Sequence, residues 1–419
     1  MKNILIFLKD RNFIDQTTHD EMEEVLNTPQ KIYVGFDMTA DSLHLGNMVG
    51  LILLRWFQKF GHTPVILLGG GTTKIGDPSG KSKERPLLDA AAAKANFAKI
   101  KAQVGRFFGN EGPAPVIVNN EEWLNDFPLI DFMRDVGKHF RIGAMLGKES
   151  VKQRINSEEG MSFTEFCYSL LQAYDFFHLC QSEGIRFQGG GSDQWGNITA
   201  GTDLTRRKSG KTVYGVTFPL LTRSDGRKFG KSESGAIWLD SEKTSAFALY
   251  QYLYQLADSD VGKMLRMLTF VETKEIVAFE KELKEGRAKP NQGQTWLAEE
   301  VTKFVHGEEG LAMAKQATKG AAFGQKIDVE SLRAASGSMP TVAMPKNDVV
   351  GKRFTELAAL IKLVPSKGEA HRLVKNGGAY LNNEKISDPM KIIEQSDLIE
   401  GEFLLLGSGK KKKTLIKIE

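Results

Sequence analysis

Ile32-Tyr33-Val34-Gly35-Phe36 is the short apolar run from which the fold of this 419-residue chain can be worked out. A turn-like segment, 37–42, separates the run from the motif His44-Leu45-Gly46-Asn47, and an apolar-rich segment from Met48 to Phe60 follows. This order predicts a strand, a loop and a helix. Such a unit opens many nucleotide-binding α/β domains.

The motif at the predicted strand-to-helix turn carries candidate ligand-binding groups. His44 and Asn47 are three residues apart, so we expect them on one face of the first helical turn. The amino terminus of the helix favours anions there. Gly46 has no Cβ and lets a ligand approach closely. Taken alone, the motif is more typical of a surface helix cap with a packing glycine.

Short apolar runs and longer helical patterns alternate as far as Leu239. The candidate strands are Ile32–Phe36, Pro64–Gly69, Pro115–Val118, Ile185–Gln188, Thr217–Leu221 and Ala236–Leu239. Helical segments in the gaps predict a doubly wound, mostly parallel sheet covered by helices, an α/β fold. Ligands bind such sheets at the carboxyl ends of the strands. Glycine-rich or acidic motifs stand at those ends: Gly35-Phe36-Asp37, Gly69-Gly70-Gly71 and Gly189-Gly190-Gly191-Ser192-Asp193.

A second motif, Lys228-Phe229-Gly230-Lys231-Ser232, lies between the turn signal Asp225-Gly226 and the last candidate strand. Two ammonium groups on a mobile loop suit the transient binding of a polyphosphate. Most loops of this composition are solvated surface, so the motif gains weight only beside a second element. Its predicted mobility allows the lysines to lie far from His44 when no ligand is bound.

Composition excludes several classes of protein. Hydrophobic residues make up 41% and charged residues 26%, which is typical of a soluble globular protein. The first apolar run, Ile4–Leu8, is too short for a signal peptide or a membrane span. The two cysteines, Cys167 and Cys180, lack metal-type spacing. We therefore expect a cytoplasmic protein with reduced thiols, no protein metal site and no membrane partner.

The length predicts two or three domains. We expect a Rossmann-like catalytic domain at 1–243, an all-α domain at 244–323, a linker at 324–348 and a small α+β domain at 349–419. Residues 351–419 hold 13 Lys and Arg against 9 Asp and Glu, an excess equal to the net charge of +4 of the whole chain. This charge suggests a nucleic-acid partner for the last domain, although a solvated positive face explains it equally well.

Together, the two motifs resemble the signature pair of class I aminoacyl-tRNA synthetases, in the variants that bacterial tyrosyl-tRNA synthetases carry. Further blocks stand in the order and spacing of that family: 33–37, 76–81, 168–175 and 191–197. Residues 370–389 are similar to the small RNA-binding module at the end of the bacterial tyrosyl enzymes. The resemblance covers nearly the whole chain. It implies that the all-α domain binds the anticodon and that the last domain binds RNA.

For ATP, the resemblance implies two sets of residues. The catalytic set is His44, Asn47, Thr39, Lys81, Arg85, Lys228 and Lys231; Asn47 is expected at the ribose and the others around the phosphates. The ATP-binding set is Gly35, Asp37, Gly46, Gly191, Asp193, Lys231 and Ser232. Adenylation needs no protein nucleophile, because the amino acid carboxylate attacks the α-phosphorus. Catalysis then rests on positioning and on stabilising charge on the departing pyrophosphate.

For the amino acid, the resemblance implies a tyrosine site formed by Tyr33, Asp77, Asn120, Tyr168, Gln172, Asp175, Gln188 and Gln194. A phenol both donates and accepts a hydrogen bond, so Tyr33 and Asp175 form a matched pair for it. Tyr168, Gln172 and Asp175 also follow the i, i+4, i+7 spacing of one helix face. That face carries an amide and a carboxylate where a core would be apolar.

The resemblance implies synthesis of tyrosyl-adenylate from L-tyrosine and ATP, with Mg²⁺ accompanying ATP and no tightly bound cofactor. Tyrosine then passes to the terminal adenosine of tRNA-Tyr, and the enzyme is expected to be a homodimer. Two alternatives are a tryptophanyl-tRNA synthetase and a non-catalytic RNA-binding relative. An indole only donates, so it would not need Tyr33 opposite Asp175. The third glycine in 189–191 departs from the family pattern, and we expect it to loosen that loop.

Overall fold

The computed structural model describes residues 3–79, 90–232, 235–320, 329–336, 339–409 and 412–419. The chain divides into two compact units, one made of Met1–Asp240 with Gly262–Gly286 and the other of Ser241–Val261 with Arg287–Glu419. None of the described helices is long and apolar enough to cross a lipid bilayer.

A six-stranded sheet forms the centre of the first unit. Its strands are β1 (Gln16–Thr17), β2 (Lys31–Phe36), β3 (Thr63–Leu68), β4 (Val116–Asn119), β5 (Phe187–Gly191) and β6 (Tyr214–Phe218). The order is β1-β6-β5-β2-β3-β4, and every pair is parallel except the edge pair β1–β6. The strand order reverses between β2 and β5, which is the switch point where doubly wound sheets bind ligands. The predicted α/β class is confirmed.

The last predicted strand does not join this sheet. A short pair, β7 (Lys231–Ser232) and β8 (Gly235–Ala236), forms instead. The isolated bridge His44–Trp238 ties the segment beyond β8 to the first motif. The apolar run 236–239 predicted a strand of the main sheet. A two-residue strand pair and an isolated bridge are too short to give a periodic pattern, so the sequence could not show that this run pairs elsewhere.

Helices cover the sheet of the first unit. They are α1 (Ile4–Asp10), α2 (Met22–Val25), α3 (Met48–Lys59), α4 (Ala90–Gly105), α5 (Glu121–Leu124), α6 (Leu129–Asp135), α7 (Ile142–Leu146), α8 (Glu149–Ile155), α9 (Phe163–Ser182) and α10 (Trp195–Ser209). The remaining helices of the chain are α11 (Ala246–Tyr254), α12 (Asp258–Leu268), α13 (Thr273–Lys284), α14 (Gln292–Gly320, broken at Gly307), α15 (Val329–Ser336), α16 (Phe354–Leu360) and α17 (Lys367–Lys375). Helix α3 is buried from Met48 to Gln58, so it fixes the position of the motif that precedes it.

Residues 262–286 belong to the first unit, whereas the sequence pattern places them in a separate all-α domain. Arg11, which is 0% exposed, explains the difference. Its guanidinium donates hydrogen bonds to the backbone carbonyls of Leu265, Arg266, Thr269 and Val271. These carbonyls lie at and beyond the end of α12, where no helical N–H is left to bind them. A helical pattern shows that helices form, but it does not show where they pack.

A five-stranded sheet organises the end of the second unit. Its strands are β9 (Thr341–Met344), β10 (Ala379–Leu381), β11 (Glu384–Lys385), β12 (Phe403–Ser408) and β13 (Lys412–Ile418), in the order β11-β10-β12-β13-β9. The predicted linker at 324–348 therefore needs correction, because α15 and β9 both lie in it. Strand β9 pairs parallel with β13, a long-range contact that a weakly apolar four-residue run does not reveal.

Candidate active site

One cavity of about 430 Å³ opens at the carboxyl edge of the first unit's sheet. Almost every predicted site residue lines it. The cavity contains His44, Asn47, Thr39, Lys228, Lys231, Gly35, Asp37, Gly46, Gly191, Asp193, Tyr33, Asp77, Asn120, Tyr168, Gln172, Asp175, Gln188 and Gln194. Lys81 and Arg85 lie in 80–89, outside the described residues, and the side chain of Ser232 is likewise not described.

Backbone pairing brings the two signature motifs together. The Leu45 N–H donates to the Ile237 carbonyl at 2.8 Å, and the Leu239 N–H donates to the Leu43 carbonyl at 2.8 Å. A Cβ on Gly230, between the two lysines, would lie 3.3 Å from the Gly46 nitrogen. The lysine loop therefore lies against the first motif in this structure.

The first motif forms a turn ahead of α3, not the first turn of the helix as predicted. Helix α3 begins at Met48, and the Asn47 side chain accepts a hydrogen bond from the His44 N–H at 3.1 Å. A Cβ on Gly46 would lie 3.0 Å from Cε1 of His44, which is tighter than ordinary contact. Glycine at this position leaves room for the imidazole, which folds back over it.

The far end of the cavity is lined by buried polar side chains. Tyr33 on β2 is 0% exposed, and its hydroxyl has no hydrogen-bond partner among the described residues. Asp175 on α9 is also buried and accepts from Asn120 Nδ2 at 3.0 Å and from Trp123 Nε1 at 2.8 Å. An unpaired buried hydroxyl beside an oriented carboxylate suits a ligand that donates and accepts at one atom.

Burial controls the protonation of this pair. It raises the pKa of Asp175 to about 7, against the lowering effect of the hydrogen bonds from Asn120 and Trp123. Burial and the nearby Asp175 carboxylate raise the pKa of the Tyr33 hydroxyl well above its ordinary value. Tyr33 is therefore a permanent donor, and Asp175 is an acceptor that strengthens when it ionises.

A second group of polar side chains lies between this end and the mouth. Gln194 Nε2 donates to Asp77 Oδ2 at 2.7 Å, and Asn197 Nδ2 donates to Gln172 Oε1 at 3.1 Å. The Gln188 Oε1 atom is buried and has no hydrogen-bond partner among the described residues. Asp77 and Gln172 thus present acceptor oxygens here, which suit an ammonium ligand.

Charge is divided along the cavity. The carboxylates of Asp37, Asp77, Asp175 and Asp193 line the inner part, and burial followed by repulsion from Asp77 raises the pKa of Asp193. His44, Lys228 and Lys231 line the mouth, which is cationic. An amino acid with its ammonium inward and a polyphosphate at the mouth would match this division. In the described part of the chain, no cluster of three or more His, Cys, Asp or Glu could hold a metal ion.

The three glycines at 189–191 lie inside β5 and are buried, so the predicted loosening of a loop is wrong. A Cβ on Gly189 would lie 2.5 Å from Leu53 Cδ2, and one on Gly191 would lie 2.5 Å from Asp193 Oδ1. The glycines let α3 and the turn after β5 pack directly on the strand.

Sequence reasoning missed three residues that support the site: Trp123, Thr72 and Asn197. Trp123 and Thr72 reach Asp175 and Asp37, and Asn197 reaches Gln172. All three contacts join residues at least 25 positions apart. Only a glycine run before Thr72 hinted that the backbone there approaches other groups closely.

The doubly wound sheet and the paired motifs at its switch point define the catalytic domain of a class I aminoacyl-tRNA synthetase. Residues 26–322 match the family described as tRNA synthetases class I (W and Y). Residues 331–416 match the tyrosine–tRNA ligase SYY-like C-terminal domain, which begins within the predicted linker.

Known proteins narrow this class. The chain is 49% identical to a tyrosine–tRNA ligase of Protochlamydia amoebophila, over 100% of this chain and 99% of the relative. It is 44% identical to a tyrosine–tRNA ligase of Bacillus caldotenax, over 99% of each chain. A C-terminally truncated mitochondrial tyrosyl-tRNA synthetase of Aspergillus nidulans superposes with a TM-score of 0.68 at 32% identity, covering 76% of this chain and 94% of that one. The chain belongs to the tyrosine–tRNA ligase family.

Proposed function

We propose that the chain joins L-tyrosine to ATP, releases pyrophosphate, and then transfers tyrosine to the terminal adenosine of tRNA-Tyr. One observation carries the choice of amino acid. The buried Tyr33 hydroxyl has no partner among the described residues, while Asn120 and Trp123 hold Asp175. A substrate phenol would accept from Tyr33 and donate a further hydrogen bond to Asp175, whereas phenylalanine would leave the Tyr33 hydroxyl desolvated and unpaired.

Exchange of labelled pyrophosphate into ATP tests this proposal. Purified protein should support exchange with tyrosine and far less with phenylalanine or tryptophan. Exchange with tryptophan alone would favour the tryptophanyl alternative. Absence of exchange with every amino acid would favour the non-catalytic, RNA-binding one.

The chemical step follows from the division of charge. Asp77, Tyr168 and Gln172 are assigned to the tyrosine ammonium, and Gln188 and Gln194 to the side of its carboxylate. The carboxylate attacks the α-phosphorus of ATP, and the α–β bridging oxygen leaves with the pyrophosphate. His44, Thr39, Lys228 and Lys231, at the cationic mouth, are assigned to the charge that develops there. Lys81 and Arg85 keep their assignment to the phosphates, and Ser232 keeps its assignment to ATP, on the strength of the family resemblance.

The nucleoside is assigned to the glycine-lined wall of the cavity. Gly35, Gly46 and Gly191 line the cavity and allow a base or ribose to approach the backbone, and Asp193 and Asn47 are assigned to the ribose. Asp37 keeps its assignment near the adenosine, although its carboxylate is engaged by Thr72 and Tyr168. Mg²⁺ is proposed to arrive with ATP as part of the substrate.

The small domain at the end of the chain is proposed to bind tRNA, and the helical segment before it to bind the anticodon. Support comes from the charge of residues 351–419 and from the exposed cations Arg372 and Lys375 on α17. Replacing both with alanine should raise KM for tRNA about 10-fold and flatten its dependence on salt. Pyrophosphate exchange without tRNA should not change. The matched control Lys101→Ala, on α4, should alter neither reaction.

A homodimer is proposed from an exposed apolar face of the first unit. Large apolar side chains on α6, α7, α8 and the start of α9 are 41–74% exposed: Leu129, Ile130, Met133, Ile142, Leu146, Ile155 and Phe163. A face of this kind is typical of a self-complementary contact.

Sedimentation tests the dimer. The double variant Ile130→Asp, Ile142→Asp should be monomeric at a concentration where the parent is dimeric. Val277→Asp, which alters an apolar residue 51% exposed on α13, should remain dimeric. A dimer that survives the double variant would place the interface elsewhere.

We also propose a cytoplasmic location, in keeping with two free cysteines.

A further inference from the structure

The two ends of the proposed tyrosine site are joined by an unbroken row of hydrogen bonds. Asn120 Nδ2 donates to Asp175 Oδ2 at 3.0 Å and to Thr72 Oγ1 at 3.0 Å. Thr72 Oγ1 donates to Asp37 Oδ1 at 2.9 Å, and the Tyr168 hydroxyl donates to Asp37 Oδ2 at 3.1 Å. Asp175 faces the phenol position, and Tyr168 faces the ammonium position.

The direction of every bond in this row is fixed by chemistry. An amide nitrogen only donates, and an ionised carboxylate only accepts. Thr72 must therefore accept from Asn120 and donate to Asp37. Asn120 uses both amide hydrogens in the row, and its carbonyl accepts from the Gly71 N–H at 2.8 Å. The Thr72 hydroxyl can link these two neighbours because a single oxygen both accepts and donates.

Thr72 and Asn120 are nearly inaccessible, at 3% and 0% exposure, so water does not replace a lost partner. The backbone at Gly69 also leaves room for the hydrogen bond between Thr72 and Asp37. A Cβ on Gly69 would lie 2.4 Å from Asp37 Oδ1 and 2.4 Å from Thr72 Oγ1. Glycine at this position leaves the space in which the bond forms.

We propose that Thr72 is a positioning residue that couples the phenol end to the ammonium end of the tyrosine site. This inference rests on the proposed function. Because Tyr168 gives its hydrogen to Asp37, its oxygen lone pairs remain to accept from the ammonium. Because Asn120 is anchored by Thr72, its other hydrogen stays on Asp175. Loss of the Thr72 hydroxyl therefore frees the orientations of Tyr168 and Asn120 together.

The test compares Thr72→Val, which keeps the shape but lacks the hydroxyl, with Thr72→Ser, which keeps the hydroxyl. Thr72→Val should lower kcat/KM for tyrosine in pyrophosphate exchange about 10- to 100-fold, since the hydroxyl binds a charged group. The KM for ATP should stay within about twofold, a separation that general damage to the fold would not produce. Thr72→Ser should recover most of the loss.

Two selectivity ratios test the coupling itself. Thr72→Val should reduce discrimination against phenylalanine, which lacks the phenol. It should also reduce the advantage of tyrosine over 3-(4-hydroxyphenyl)propionate, an inhibitor that lacks the ammonium. If only one ratio falls, Thr72 serves one end and the coupling is overturned.

Two further variants serve as controls for this test. Gly69→Ala should reproduce the Thr72→Val pattern, because its Cβ would displace the same bond while Thr72 remains. Thr205→Val removes a buried hydroxyl on α10 that binds only the Gly201 carbonyl at 2.9 Å in the described structure, and should behave as the parent. If Thr72→Val matches Thr205→Val while the parent exchanges with tyrosine, this inference fails alone. If the parent itself does not exchange with tyrosine, the proposed function fails.

Discussion

The inner end and the mouth of the cavity are built by opposite means. At the inner end, Tyr33, Asn120 and Asp175 are at most 1% exposed, and strands or long helices hold two of them. At the mouth, Thr39, Lys228 and Lys231 are exposed; Thr39 and Lys228 stand on loops, and Lys231 begins the two-residue strand β7. A buried pocket discriminates between ligands through the cost of unpaired groups. Exposed cations on loops can instead follow charge as it moves from reactant to leaving group.

Replacement of His44 should cause the largest loss of activity. It should impair the mouth of the cavity and leave the inner end unaffected. His44→Ala removes one donor aimed at developing negative charge, so kcat should fall about 10²- to 10³-fold with little change in KM for tyrosine. Steady-state pyrophosphate exchange measures both constants. His19→Ala, which removes an imidazole outside the cavity lining, should remain near the parent. An equal rise in the KM for tyrosine would show that His44 contributes to ground-state binding, and the contrast between the two ends would weaken.

Replacing Trp123 should disturb the inner end alone. Trp123→Phe keeps an aromatic ring stacked on His178 but removes the N–H that Asp175 accepts at 2.8 Å. A hydrogen bond to a buried carboxylate supports a loss of about 10- to 30-fold in kcat/KM for tyrosine, with the KM for ATP unchanged. Trp56→Phe is the matched control, because its buried indole N–H has no partner among the described residues. Equal losses in both variants would mean that Trp123 acts through packing.

As the pH falls, the interaction of the inner end with tyrosine should weaken before the function of the mouth is affected. Burial raises the pKa of Asp175 to about 7, so the carboxylate takes up a proton as the pH falls through that value. Ionised Asp175 accepts from the phenol more strongly, so kcat/KM for tyrosine should fall about 10-fold from pH 8 to pH 6. A profile that is flat over this interval would contradict the assignment of Asp175 to the phenol.

The same pKa has a consequence for stability with the opposite sign. A carboxyl whose pKa is higher in the folded protein than in the unfolded chain favours folding most when it is protonated. Its contribution is therefore present below about pH 4 and is lost as the pH rises through about 7. Asp175 thus contributes to recognition at some cost to the fold. Thermal denaturation of Asp175→Asn, compared with the parent at pH 6 and pH 8, should show a smaller dependence on pH.

The contrast between the two ends also separates what the sequence could predict from what it could not. His44, Asn47, Lys228 and Lys231 stand in two short contiguous motifs, which are weak signals singly and become specific when the two are taken together. Tyr33 was found through the family resemblance, and Gln172 and Asp175 through that resemblance together with the polar groups that they place on an otherwise apolar helix face. Thr72 and Trp123 carry no such signal, since their roles arise from partners 35 and 52 positions away. The packing of residues 262–286 on Arg11 was missed for the same reason, because it depends on a contact about 255 positions long.

Gly46→Ala should cause the smallest loss of activity. It tests how precisely the His44 imidazole must be positioned at the mouth. The new Cβ would lie 3.0 Å from Cε1 and 3.1 Å from Nδ1 of His44, so the imidazole must move by a few tenths of an ångström. A shift of that size should lower kcat roughly 3- to 10-fold and leave the KM for tyrosine unchanged, since misplacement by about 1 Å can cost about 100-fold. Gly105→Ala, at a position with no atom within 4 Å of the added Cβ, should change neither constant. Full activity in Gly46→Ala would mean that the imidazole adjusts freely, and that order at the mouth is imposed by the ligand and not by the chain.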